Sequence, residues 1–332
     1  MMKKNIVYIL LLVMLTAVIP FTALLVRSDK NITKPVTTTV QTPSEKTTLK
    51  SAQQNNNAFR IYDNAFQKTI TVSDFDFCIG AIATQTDIDV PYEALKAEIV
   101  AVHTYYAYLR NESRKNNKDF DFECNSKTWK VYVSESQLKE KLRDTFDEYY
   151  QTFKNAVEEV GDTFIYYNNA LCKASYFEIS AGNTFSYNEI YEEDIPYLYS
   201  VPSPFDTLAN NYTTRLSFSY NELNEKIAEC FSDFKPSEKH SDNIKNIRKT
   251  ENGAVICLNV GNHTLTGDEF AEILHLRSCC FTVDFKNNVY TFTVYGYGNN
   301  IGLSKYGACK LAEQGYDFKE ILQYYYSGVN IL

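Results

Sequence analysis

Residues 91–110 read PYEALKAEIVAVHTYYAYLR, and the spacing of their side chains predicts a long helix. Pro91 pre-sets the backbone of a first turn, and Glu93 lies where a carboxylate favours the positive end of a helix. Leu95, Ile99, Val102 and Tyr106 make one apolar stripe, while Ala94, Ala97 and Ala101 allow close approach by neighbouring elements. At ~100° per residue, Glu98 points roughly 140° away from Glu93, and His103 stands about 15 Å farther along the axis. Neither can be a catalytic partner of Glu93 on this helix. Lys96, one turn on, can pair with it. On this physics alone, Glu93 is a helix-start carboxylate.

Beyond this helix, several further elements are legible. AFQKTITVSDFDFCIGAIA (65–83) alternates and then runs apolar, as a strand pair or strand-turn element would. VSESQLKEKLRDTFDEYYQTFKNAVEEV (133–160) holds one or two helices, and SFSYNELNEKIAECF (217–231) opens on a capping residue. Residues 253–277 read as two short strands, a turn and a short helix. CCFTVDFKNNVYTFTVYGYG (279–298) reads as a hairpin turning at Asn287 and Asn288. Two helices close the chain, the first ended by Gly315, the second capped by Asp317 and stopped by Gly328. The fold class is α+β.

Ahead of this region, Lys3 and Lys4 precede an uncharged run from Ile6 to Val26. About 20 apolar residues at ~1.5 Å rise span a hydrocarbon core ~30 Å thick. With no clear A-x-A cleavage site behind it, an uncleaved anchor over residues 1–27 is expected rather than a removed signal peptide, with the bulk of the chain outside. Residues 28–57 are Thr, Ser, Gln, Asn and Lys with hardly a large apolar side chain, which makes them a tether. The folded domain is expected over 58–332. The 332-residue chain is 44% hydrophobic and carries a formal charge of −8, which excludes a general nucleic-acid binder because no basic face is available to displace counterions. The 26 tyrosines are either surface filling or sugar-stacking rings. The eight cysteines show no metal-ligand spacing, and buried free thiols are expected rather than a disulfide framework.

The helix sequence resembles the P-x-E-A-L-K-A-Q-A-V-A-A-R-T-Y-A segment of the stage II sporulation protein D (SpoIID) family, membrane-anchored peptidoglycan lytic transglycosylases. Three further stretches agree in the family's order. FEISAGNT with DIPYLYSVPSPFD resembles the H-A-x-S-x-G-x-T and P-Y-L-x-x-V-x-S-P-x-D blocks. GDEFAEILHLRSCCFTV resembles G-x-x-F-R-x-x-L-x-L-R-S-x-x-F. GYGNNIGLSKYGACKLAEQGYDFKEILQYYYSGVNI resembles G-x-G-H-G-V-G-M-S-Q-Y-G-A with its trailing helix and the Y-Y-x-G-V-x-I ending. Together these blocks cover about residues 67–331.

The resemblance implies that Glu93 is the catalytic acid and base for cleaving the β-1,4 bond between N-acetylmuramic acid and N-acetylglucosamine to a 1,6-anhydromuramic product. One carboxyl can protonate the leaving oxygen and then deprotonate the muramic C6 hydroxyl. A second carboxylate is dispensable where the substrate's acetamido group stabilises the oxocarbenium-like centre. The same resemblance puts Lys96, His103, Ser180, Thr184, Gly298, Asn299, Asn300, Ser304, Lys305 and Tyr306 around a glycan-binding cleft. It implies no cofactor, and no zinc, because Thr128 and Trp129 stand where some relatives carry His and Cys.

Departures from the family pattern are equally specific: His103 replaces Arg, Phe177 replaces His, Asn299-Asn300 replaces His-Gly, and Lys305 replaces Gln. Two functions are therefore carried forward. The first is an active transglycosylase on denuded glycan strands, working with stage II sporulation proteins P and M in septal wall remodelling and engulfment. The second is a glycan-binding or amidase-regulating protein that keeps the fold.

Overall fold

The computed structural model of the protein describes residues 58–332. The expected anchor and tether, residues 1–57, lie outside the described residues. Among the described residues, no helix is long and apolar enough to cross a membrane.

The domain is α+β and contains two apolar cores. The chain opens with an antiparallel hairpin, β1 (Ala58–Asp63) and β2 (Lys68–Ser73), and runs directly into α1 (Asp74–Ile82). The first part of the 65–83 expectation is therefore a strand and the second part a helix. Ser73 decides this: its hydroxyl accepts from Asp76 N, and Asp74 and Asp76 stabilise the first turn. Phe77 to Ile82 are all buried, so their apolar run carries no periodicity to distinguish helix from strand.

The quoted helix is α2 (Tyr92–Lys115), longer than its apolar stripe because Arg110, Ser113 and Arg114 continue it with tertiary polar contacts. Its stripe residues are buried against α1 and the following elements, where each Leu or Ile contributes about 1.5–3 kcal/mol on leaving water. After β3 (Phe122–Cys124), which pairs parallel to β1, come α3 (Glu135–Leu142) and α4 (Phe146–Val160). These two are separate helices because Arg143 adopts a left-handed φ of 48°.

Short pairs follow: β4 (Ile165–Tyr167), β5 (Ala170–Leu171) and β6 (Tyr176–Phe177), then α5 (Tyr187–Tyr191). The second core is built by residues 213–295. It contains β7 (Thr213–Ser219), α6 (Tyr220–Cys230), β8 (Ile244–Lys249), β9 (Val255–Val260), β10 (His263–Thr266), α7 (Gly267–Leu274), β11 (Phe281–Lys286) and β12 (Val289–Tyr295). Two three-stranded sheets, β11-β12-β7 and β10-β9-β8, enclose Phe270, Phe281 and Phe292. Asn287 and Asn288, both at positive φ (52° and 62°), make the expected two-residue turn.

The chain then returns to the first core through β13 (Leu303–Ser304), α8 (Lys305–Glu313), α9 (Phe318–Tyr325) and β14 (Asn330–Ile331). β13 pairs parallel to β6, setting Ser304 beside Phe177 and pinning the Gly296–Gly307 loop to that strand. The cysteines are free thiols; Cys78, Cys124, Cys172, Cys279 and Cys280 are buried, whereas Cys230 is exposed and Cys257 and Cys309 are half-buried.

Candidate functional site

Glu93 lies where two helices begin. α9 is capped by Asp317 and Glu320 in a reciprocal box that satisfies the backbone N–H groups of Asp317 and Glu320. The box leaves the N–H of Phe318, the first helical residue, without an intrahelical partner. Glu93 Oε2 accepts it at 2.9 Å, and thus closes α9 from the start of α2. Glu93 Oε1 is 2.5 Å from Lys96 Nζ, which is also 3.5 Å from Oε2 of Glu159 in the last turn of α4. Tyr92 donates its hydroxyl to Glu159 Oε1.

The result is an array of two carboxylates around one ammonium, flanked by the rings of Tyr92 and Phe318 at 5.4 and 5.2 Å from Lys96 Nζ. The Glu93 side chain is 34% exposed, reachable from solvent and outside the core. Burial works against the charge on Lys96, but Glu93 and then Glu159 outweigh it and hold the ammonium above its usual range. Burial, with the hydrogen bond and charge of Glu159 added, pushes the Tyr92 phenol up to about 12.

The Gly296–Gly307 loop is a different environment. Asn300, fully buried, occupies a left-handed conformation (φ 60°) that glycine or asparagine tolerates best, which accounts for its standing where the family pattern has Gly. Its Oδ1 accepts from Ala181 N and its Nδ2 donates to Gly298 O, tying the loop to the FEISAGNT segment. Gly302 (φ 82°) passes so close to Ser175 that a Cβ would sit 2.0 Å from its carbonyl oxygen.

Behind the loop Asp206, with no solvent exposure, gathers Ser180 N at 2.9 Å, the Ser304 hydroxyl at 2.5 Å and the Ser203 hydroxyl. Ser203 in turn meets the Tyr325 hydroxyl, and Thr184 Oγ1 accepts from Val201 N. Burial pushes the Asp206 carboxyl up, although these donors pull it back.

These contacts correct the expectation for part of the cleft. Ser180, Thr184, Asn300 and Ser304 are buried and occupied by internal hydrogen bonds, so they shape the loop and do not face a ligand. His103 is on the buried seam between α1 and α2, its Nε2 3.1 Å from Asp74 Oδ2, with Arg110 on the other Asp74 oxygen at 2.6 Å. It is ten residues from Glu93 along α2 and belongs to another part of the structure. Lys305 is buried too: its Nζ donates to Gln85 O and lies 2.5 Å from Glu178 Oε1 and 3.4 Å from Glu98 Oε1. Gly298, Asn299 and Tyr306 retain access to solvent.

α2 connects the two regions. Glu93 meets the start of α9, and Glu98, five residues or about 7.5 Å farther along the axis, meets the start of α8. Glu98, Glu159, Glu178 and Asp206 are the charged residues that the sequence reading did not assign. Glu98 carried a legible signal: it interrupts the apolar stripe between Leu95 and Val102, and an acid in a stripe requires a buried partner. Its partner, 207 residues away by number (305 − 98), carried none.

The family model named SpoIID, described as a stage II sporulation protein, matches residues 62–167, which span most of the hairpin, α2 and α4. The stage II sporulation protein D of Bacillus amyloliquefaciens is 29% identical over 259 residues, covering 77% of this chain and 73% of that one. This chain carries a stage II sporulation protein D family domain. The stage II sporulation protein D of Bacillus subtilis (strain 168) is 26% identical over 272 residues, covering 82% of this chain and 78% of its own. A more distant relative, the amidase enhancer of the same B. subtilis strain, is 21% identical over 300 residues, 76% of this chain and 40% of the enhancer. The family is one of sporulation proteins, and the stretch matched by the family model contains Glu93, Lys96 and Glu159.

Proposed function

We propose that this protein is a peptidoglycan lytic transglycosylase in which Glu93 is both acid and base. The observation that carries the reading is the position of Glu93. The residue that matches the family's catalytic acid is at the surface, partly exposed, with one oxygen against an ammonium that itself lies over the Tyr92 and Phe318 rings. To protonate a glycosidic oxygen, Glu93 has to take up a proton on Oε1, which requires Lys96 Nζ to move away. Glu159 supplies a second carboxylate for that ammonium. Phe318 N–H can stay on Oε2 throughout and keep the carboxyl oriented.

In this reading the bond cleaved joins N-acetylmuramic acid to N-acetylglucosamine, and the C6 hydroxyl of the muramic residue closes the anhydro ring. The substrate is a glycan strand freed of its stem peptides. The setting is the septal wall during engulfment, with stage II sporulation proteins P and M as partners and residues 6–26 as a single-pass anchor holding the C-terminal domain outside the cell.

The alternative is a glycan-binding or amidase-regulating protein. The short Glu93–Lys96 contact favours it, because an acid held as an ion-pair acceptor is not ready to donate a proton, and one relative is named an amidase enhancer. Incubation of the protein and its Glu93→Gln variant with denuded strands separates the readings. Anhydromuramic products detected by mass spectrometry from the parent alone support catalysis by Glu93. Products from both forms remove Glu93 from the reaction, and products from neither favour the alternative.

A further inference from the structure

A groove of about 570 Å³ lies between the β2–α1 junction and helices α3 and α4, and it shares no residue with the Glu93 array. Its volume is in the range of ligand pockets, ~300–1,000 Å³. Its floor is apolar, formed by Val72, Ile79 and Leu138. The ring of Tyr132 packs against Gly80, where a Cβ would come within 2.6 Å of it, so the absence of a side chain at this position lets the tyrosine in.

Tyr132 is 6% exposed and lines the groove, and its hydroxyl, which makes no hydrogen bond among the described residues, keeps access to solvent. A ligand in the groove can therefore take this hydroxyl as a donor in exchange for water. Polar groups at the rim are half-used. Asp76 accepts the Ser73 hydroxyl on Oδ2, leaving Oδ1 without a side-chain donor, and Glu135 accepts the Tyr150 hydroxyl on Oε2, leaving Oε1 in the same condition. Lys139 makes no ion pair among the described residues and stands 5.6 Å from the centre of the Phe146 ring.

We propose that this groove is a saccharide-binding site, remote from Glu93, in which Tyr132 donates to a ring substituent while Asp76 and Glu135 accept from sugar hydroxyls. The match is chemical. A pyranose offers apolar C–H faces to a floor of aliphatic and tyrosine groups, and rows of hydroxyls that both donate and accept. A groove with free acceptors and free donors side by side meets that pattern. A simple amine would leave the phenol hydrogen and Lys139 without acceptors, and an anion would meet the two carboxylates. The inference goes beyond the catalytic reading and does not depend on it, because a glycan can be held here whether or not Glu93 cleaves it.

Titration of the full-length protein with N,N′-diacetylchitobiose, followed by calorimetry, tests the site. Saturable binding is expected, with Tyr132→Phe weakening it about tenfold or more, the equivalent of one lost hydrogen bond. The same variant is expected to unfold at the parent's temperature or above, since the removed hydroxyl has no protein partner to lose. Glu135→Gln, at an exposed position, should weaken binding without altering the unfolding temperature. Absence of saturable binding by the parent overturns the proposal, as does unchanged affinity in both Tyr132→Phe and Glu135→Gln. Saturation by putrescine in place of the disaccharide would reassign the groove to amines and equally overturn it.

Discussion

Glu98 Oε1 lies 3.4 Å from Lys305 Nζ, both side chains buried, and the two residues stand where the family pattern has glutamine in each motif. The ion pair sits where α2 touches the start of the loop helix α8. Burial pushes the Glu98 carboxyl up, and Lys305 with the Thr86 hydroxyl opposes that. Removing one charge of such a pair strands the other, whereas replacing both by neutral groups of like volume is often neutral or better.

Lys305→Gln is therefore expected to destabilise the domain by about 3–5 kcal/mol. Glu98→Gln should cost less, because Lys305 keeps Glu178. The double Gln variant should recover most of the loss, and denaturant unfolding of the four forms gives the coupling directly. The Lys305→Gln defect also has a pH sign. A carboxyl whose folded pKa is raised stabilises the fold below its unfolded value near 4.5, and that contribution is lost as pH rises through the folded value. The defect should shrink towards pH 4 and grow towards neutrality. Strictly additive single effects would show that the two side chains do not interact.

Catalysis at Glu93 predicts a rate loss of about 10²–10⁴ in Glu93→Gln, read as anhydromuramic product, with little change in unfolding temperature. The amide oxygen that this substitution introduces can still accept from Phe318 N–H, so the cap of α9 persists. A fall in unfolding temperature large enough to account for the lost activity would assign Glu93 to stability instead.

His103 is set to behave as a permanent cation over the physiological range. Burial opposes its charge, but the adjoining Cys78 sulfur and the Asp74 carboxylate outweigh this and hold the ring protonated up to about pH 10. A raised folded pKa contributes stability fully below the unfolded value near 6.5, and that contribution disappears as pH rises through about 10. Thermal unfolding of the parent and of His103→Gln should differ most near pH 6 and converge above pH 10. His103→Arg, which restores the residue of the family pattern, should keep the Asp74 contact at high pH. A gap between parent and His103→Gln that does not vary with pH would argue that the ring acts by packing against Phe164 alone.

Asp206 holds the loop from behind. Asp206→Ala would leave Ser180 N–H and the Ser304 and Ser203 hydroxyls without their acceptor in a buried site, at a cost of about 3 kcal/mol or more. Amide exchange across residues 296–307 should accelerate together with the loss of stability. Slow exchange retained in the loop would show that Asn300 and the β13–β6 pairing suffice to hold it.

Short-range chemistry in the chain was enough to set the local elements and their limits: the stripe of α2, the Asn287-Asn288 turn, the Asp317 cap and the α+β class. Each rests on side-chain periodicity, on residues that tolerate positive φ, or on a capping group within three or four positions. The same reading marked Glu93 as a helix-start carboxylate and as the counterpart of the family's acid. Where the apolar run after Ser73 was uniformly buried, periodicity was absent and helix could not be told from strand.

Which motif residues face solvent was settled by packing across the whole domain. Asn300 and Ser304 share their motif with exposed neighbours, yet they turn inwards because the Ala181 amide and Asp206, far off in sequence, demand partners. Packing likewise brought Glu98 to Lys305 and made Glu93 the cap of a helix 225 residues later. Buried hydrogen-bond and charge satisfaction is a condition on groups gathered from distant segments, and it leaves almost no mark on the spacing of any one of them.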